Sequence, residues 1–164
     1  MRRKQRGTRS ETGASAVEFA LIVPLLVMLL LGITTLGMGL SHALGTTDAV
    51  REGARFGATT LTSPAPAGYA SWSGAVQAKT VGLSDGSLTS TNQVCVKLQK
   101  GTSTVVMQSG CSFSTNEPAT PTSITATDCI VKVWARIPVN VDIGVASWDI
   151  YVIRSSVSRY ERTC

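Results

Sequence analysis

The sequence predicts an α+β fold, in which a long N-terminal transmembrane helix continues into a small antiparallel β-sheet domain outside the cytoplasm. Three observations predict it. No Lys, Arg, Asp or Glu occurs between Phe19 and Thr47. All four cysteines lie beyond that stretch. From residue 94 onward the apolar pattern changes from helical spacing to strict alternation, the mark of half-buried strands.

The chain opens on a basic head, with Arg2, Arg3, Lys4, Arg6 and Arg9 inside nine positions. The apolar run FALIVPLLVMLLLGITTLGMGL then covers 22 residues, Phe19 to Leu40. At about 1.5 Å per residue this crosses a hydrocarbon layer about 30 Å thick. A lone span satisfies its backbone groups inside lipid only as a helix. Positive charge ahead of the span places the N-terminus in the cytoplasm and the rest outside. Pro24 removes one backbone donor and bends the helix or is absorbed by it. A cleavable secretory signal is the competing reading: its apolar part runs only about 7–15 residues, and Ser41-His42-Ala43 offers a cleavage site.

Helical spacing continues past the span through LSHALGTTDAVREGARFGATT, up to Thr59-Thr60 and the prolines at 64 and 66. Four-residue steps through Ser41, Gly45, Ala49, Gly53 and Gly57 form a ridge of small residues on one side. Glycine weakens an exposed helix, so such a column implies close approach of another backbone. Asp48, Arg51, Glu52 and Arg55 interleave opposite charges on a solvated stripe. Residues 61–92 read as loop, with a short helix over about Gly74 to Val81.

QVCVKLQ, KGTS and TVVMQ read as a hairpin turning at Gly101. After an irregular segment, CIVKVWARIPVNV is the strongest strand, and WDIYVIRSSVSRYE a second long one. They form an antiparallel pair joined through IGVAS, with Trp134, Trp148 and Tyr151 expected in the core. The resulting divisions are residues 1–13 as leader, 14–60 as transmembrane and extended helix, and 61–164 as the β-rich domain. The hairpin brings Cys95 near Cys111, and the final pair brings Cys129 near Cys164. Two disulfides therefore suit a domain outside the cytoplasm, although four cysteines permit three connectivities and free buried thiols are the alternative.

Composition narrows the function. The net charge of +5 rests on the head: past Gly13 there remain ten basic and nine acidic residues, a net of +1. The basicity is a topology signal, and nucleic-acid binding is not expected. The sequence has no nucleophile elbow, zinc-protease motif, phosphate loop or dinucleotide fingerprint. His42 is the single histidine and lies at the membrane edge. Cysteine pairs at metal-binding spacing do not occur, so no metal and no cofactor are expected. Asp142 and Asp149 are a carboxylate pair with nothing to orient them. The chain is therefore read as a non-enzyme. Glu18, at the cytoplasmic edge of the span, is the residue that composition alone leaves unexplained. A membrane-boundary carboxylate is a functional candidate, while complementing the helix dipole is its plainer role.

A basic leader, Gly13, small residues, then Glu18 and Phe19 ahead of an apolar helix resembles the class III signal of type IV pilins and pseudopilins. More narrowly, GASAVEFALIVPLLVMLLLGI followed by AVREGARFGA resembles the TadE family of tight-adherence (Tad/Flp) pilus assembly proteins. The likeness is strong over residues 13–58 and weaker over 94–161, where SSVSRYE is similar to that family's last strand.

The resemblance implies cleavage by a prepilin peptidase between Gly13 and Ala14, with Glu18 as the fifth residue of the mature chain. Ala14 departs from the Phe or Met usual at the first position. Glu18, followed by Phe19, would pair with the Ala14 amine of a neighbouring subunit and set the assembly register. The implied partners are the membrane, the peptidase, other pseudopilins, the major Flp pilin and the Tad assembly machinery. The implied role is that of a non-catalytic minor pseudopilin in a pilus or related secretion apparatus. A single-pass anchored binding module is the rival reading.

Overall fold

A computed structural model describes residues 12–60, 66–108, 111–142 and 146–160 of the chain. The basic leader up to residue 11, most of the IGVAS connection and Cys164 lie outside the described residues.

The fold is α+β. Helix α1 runs unbroken from Thr12 to Thr60 and takes Pro24 into its interior. Pro24 lies in the charge-free stretch, and the helix continues through it despite the missing donor. Helix α2 covers Pro66–Gly82. Four strands follow: β1 (Val94–Lys100), β2 (Ser103–Met107), β3 (Cys129–Asp142) and β4 (Ser147–Tyr160). They form one antiparallel sheet in the order β2-β1-β3-β4.

The short helix expected near Gly74 is thus a 17-residue helix that starts at Pro66. Ser71, Ser73 and Gly74 give that stretch a loop-like composition. Its inner face, however, repeats every three to four residues through Tyr69, Trp72, Val76 and Thr80, all buried. Trp72 Nε1 donates to the Gly57 carbonyl at 3.1 Å, and Gln77 Nε2 donates to the carbonyls of Thr91 and Val94. Burial and these bonds override the weak local propensity.

Period two divides the sheet into two faces. Val94, Val96 and Leu98 of β1 and Val131, Val133, Ala135 and Ile137 of β3 face the helices. They close a core with Val50, Ala54 and Ala58 of α1 and Trp72 and Val76 of α2. On the other face a smaller cluster joins Cys95, Phe113 and Trp134, with Met107 and Cys111 at its edge. Trp134 Nε1 donates to the Phe113 carbonyl there. The Cys95–Cys111 disulfide is formed, with the Cα atoms 5.5 Å apart. Cys129, also disulfide-bonded, lies opposite Tyr160 at the end of β4.

The turn between β1 and β2 requires its glycine. Gly101 has φ +53°, and a Cβ there would stand 2.8 Å from Ala126 Cα. Both the backbone conformation and the space exclude a side chain.

Trp134 is in the core as expected, but Trp148 and Tyr151 are not: they are 48% and 58% exposed. β3 and β4 are each 14 residues long, twice the length of β1. Their distal half extends past β1 and lies along α1, with the turn at 86–89 and Gln93 beside residues 137–140. Trp148 and Tyr151 stand on that extension, outside the core.

Candidate functional site

Helix α1 has two lengths with different surroundings. Over residues 15–34 the helix is almost bare. Glu18 and Phe19 are exposed, as are Leu21, Leu25, Leu26, Leu29, Leu30 and Ile33, which lie around the whole circumference. The stretch Ser15–Thr60 contains a window of mean hydropathy 2.6, none of it buried, long and apolar enough to cross a membrane. Its polar hydroxyls are satisfied internally: Thr34 donates to the carbonyls of Leu30 and Leu31, and Thr35 to that of Leu31. Such back-bonding lets threonine sit in an apolar helix without an unpaired group. A single long apolar helix of this kind suits a single-pass membrane anchor.

From Thr35 onward the rest of the chain packs against α1. The small-residue ridge seen in the sequence lies on this part. Ala49 is 1% exposed. A Cβ on Gly57 would touch Val131 Cγ1 at 3.0 Å and Val76 Cγ2 at 3.1 Å. A Cβ on Gly53 would fall on the Thr80 side chain, whose Oγ1 already donates to the Val76 carbonyl. Gly45 has more room, with Ser84 and Ser87 at 3.9 Å. The ridge therefore meets α2 and β3 of its own chain.

Sequence reasoning missed a second row. Thr35, Gly39 and Ala43 follow one another at four-residue steps, two positions out of phase with the ridge through Gly45, and lie beside the β3–β4 hairpin. Thr35 Oγ1 donates to the Asp142 carbonyl at 3.3 Å. A Cβ on Gly39 would meet Val139 Cγ1 at 3.2 Å. The period-four spacing was there to be read, but the partner was not, because strand length alone does not say what the strand lies along.

A charged cluster on the outer sheet face was also missed. Lys132, with its side chain 3% exposed, contacts Glu117 at 2.7 Å and donates to the Pro118 carbonyl and Thr120 Oγ1. Lys97 contacts the other Glu117 oxygen at 2.7 Å. Burial raises the Glu117 pKa, but hydrogen bonds and charge from both lysines outweigh it and hold it below its usual value. The cluster pins residues 117–120 over the sheet. At the base of the same segment, Asp128 is held down to about 2 by the Thr125 backbone N–H and the Arg159 guanidinium. Asp149 at the hairpin end accepts from Asn140 Nδ2 at 3.0 Å. His42 Nδ1 is 2.9 Å from Ser87 Oγ, which makes it a tie between α1 and the loop after α2.

Backbone helix runs through Gly13 and Ala14. Of the remaining site residues proposed from sequence, Cys95 and Cys111 come together. Cys129 stands at the hairpin base, and its expected partner lies beyond the described chain.

No curated protein and no solved structure matches the chain. Its first part does match a family model. Residues 13–55 fit the model described as TadE-like protein. That stretch begins at Gly13 and holds Glu18, the whole apolar span and the ridge as far as Gly53, so the likeness to that family covers the helix and not the sheet.

Proposed function

We propose that this chain is a minor pseudopilin, a non-catalytic component in the assembly of a Tad/Flp-type pilus or a related secretion apparatus. The observation that carries the reading is the coincidence of the TadE-like match with the bare length of α1. In this reading the N-terminus lies in the cytoplasm and the β-rich domain outside. A prepilin peptidase removes residues 1–13, taking away the five basic residues of the head and freeing the Ala14 amine.

Bare apolar surface around residues 15–34 is stable in lipid. It is also a surface on which neighbouring pseudopilin and Flp pilin helices pack without disturbing the domain. In such a bundle the Glu18 carboxylate meets the Ala14 amine of a neighbour. An unpaired charge in low dielectric is costly, so the paired register is selected.

N-terminal mass spectrometry of the membrane-purified protein, from cells with and without the prepilin peptidase, tests this. Ala14 as first residue, lost without the peptidase, is expected. Met1 in both strains would leave an anchored binding module, and Leu44 a conventionally secreted protein. Glu18→Ala should cut pilus assembly while leaving cleavage intact, read by piliation counts and by the same mass spectrum.

A further inference from the structure

We infer that the distal end of the β3–β4 hairpin is a membrane-seating element that enters the interface of the outer leaflet beside its own transmembrane helix. The inference rests on the reading of α1 as a membrane span and adds a second point of contact.

Geometry places the hairpin at that depth. Counting from Glu18 at the cytoplasmic boundary, a hydrocarbon layer of about 30 Å takes up about 20 helical residues and ends near Met38. The hairpin touches α1 on both sides of this level. Asp142 accepts from Thr35, and Val139 packs on Gly39. Register then sets the level of β4: Ile150 lies opposite Val139, and Trp148 opposite Val141. Trp148 and Ile150 therefore stand level with residues 35–39 of the span.

Chemistry agrees with the geometry. Trp148 and Ile150, 48% and 42% exposed, share the helix-facing side of this extension, and Tyr151, 58% exposed, stands on its other face. Tryptophan and tyrosine favour the membrane interface, where an apolar ring and a polar edge are both satisfied. An apolar cleft of about 350 Å³ opens at the same level between α1 and the hairpin, lined by Leu36, Leu40, Val139, Val141, Ile150 and Val152 among others. Acyl chains fill such a cleft where water would be expelled. Asp142 and Asp149 both lie at this end of the hairpin and hold it at headgroup depth, because a carboxylate is costly deeper in the bilayer. On that other face Tyr151 is held under the Arg136 guanidinium, 4.6 Å from its ring centroid.

The test uses the full chain reconstituted in phosphatidylcholine vesicles carrying bromine at the 6,7 or the 11,12 acyl positions, with tryptophan emission as readout. The other two tryptophans, Trp72 and Trp134, are buried in the protein. Bromine at 6,7 should quench part of the emission and bromine at 11,12 less, and Trp148→Phe should lose that quenching. Trp148 is exposed, so the variant keeps the fold. Flotation separates the two readings. Protein that floats with the vesicles but is quenched equally with and without Trp148 overturns the seating alone. Protein that fails to float overturns the membrane span, and the seating with it.

Discussion

Single residues decide how closely α1 can be approached. Gly53 gives up helix propensity, and the return is visible in the Thr80 side chain that occupies its Cβ space. Gly53→Ala gains helix propensity of about 1 kcal/mol but forces a fully buried, hydrogen-bonded threonine to move, at a cost of about 1–3 kcal/mol. A net loss of stability is therefore expected, and it should shrink in a Thr80→Ala background. Gly74 on α2 has nothing within 4 Å of an added Cβ, so Gly74→Ala should stabilise by up to about 1 kcal/mol. Chemical denaturation of the three variants compares the two glycines directly. Glu117 is a different case, since two lysines depend on it. Glu117→Gln leaves Lys97 and Lys132 facing each other with little water, and about 3 kcal/mol of stability should be lost. Asp128 links this to pH. Its carboxyl is depressed from 3.8 to about 2, so its contribution is full above pH 4 and is lost as pH falls through 2. Glu117 is depressed too and acts in the same direction. The denaturation midpoint should thus fall steeply between about pH 4 and 2, and less steeply in Asp128→Asn, as acid titration followed by circular dichroism will show.

Secondary-structure elements were legible where one physical signal dominated. The charge-free run and the unbroken helical spacing fixed α1 to its last residue, and alternation located the hairpin at Gly101 and the long pair β3–β4. What escaped was context. α2 buries Ser73, Gln77 and Thr80 beside its aromatics, so its inner face does not look apolar, and its first eight residues read as loop. Trp148 and Tyr151 read as core because alternation identifies a face, not what covers it. The Lys97–Glu117–Lys132 cluster was invisible for a related reason: alternating lysines on a strand look solvated until a loop folds over them. Cysteine spacing carried further, since Cys95 and Cys111 are joined as the hairpin implied. The register also bears on the second pair. Cys129 lies opposite Tyr160, four residues before Cys164. Non-reducing peptide mapping should therefore find Cys129 linked to Cys164, and a Cys95–Cys129 or Cys111–Cys164 peptide would overturn the assignment. Losing the Cys95–Cys111 bridge by Cys→Ala at both positions should cost about 3 kcal/mol for a loop of this length.

At the scale of the whole molecule, α1 is one rod with two unrelated surroundings, and this divides stability from assembly. Its second half is the spine of the folded domain: Val50 and Ala54 are fully buried and join the same core as Leu98 of β1. Its first half contributes almost nothing to that core, because Leu26 is 51% and Leu30 is 62% exposed. Truncating a side chain costs stability in proportion to the contacts it gives up within its own chain. Leu98→Ala should therefore lower the unfolding free energy by about 2–5 kcal/mol, while Leu26→Ala and Leu30→Ala should leave it within about 0.5 kcal/mol in detergent. Assembly should show the reverse order. If residues 15–34 are the surface on which subunits pack, Leu26→Ala and Leu30→Ala lose contacts only in the assembled state, and piliation or co-purification of pseudopilin partners should fall although the isolated protein melts normally. A single helix carrying both halves has a further consequence. The hairpin grips α1 through Thr35 and Gly39, which ties the domain to the start of the helix's packed length. Filling the grip with Gly39→Leu should disturb the hairpin's seat against the helix while sparing the core. The expected result is near-normal thermal stability with reduced assembly. A melting temperature that falls as far as that of Leu98→Ala would instead mean that anchor and domain unfold as one unit.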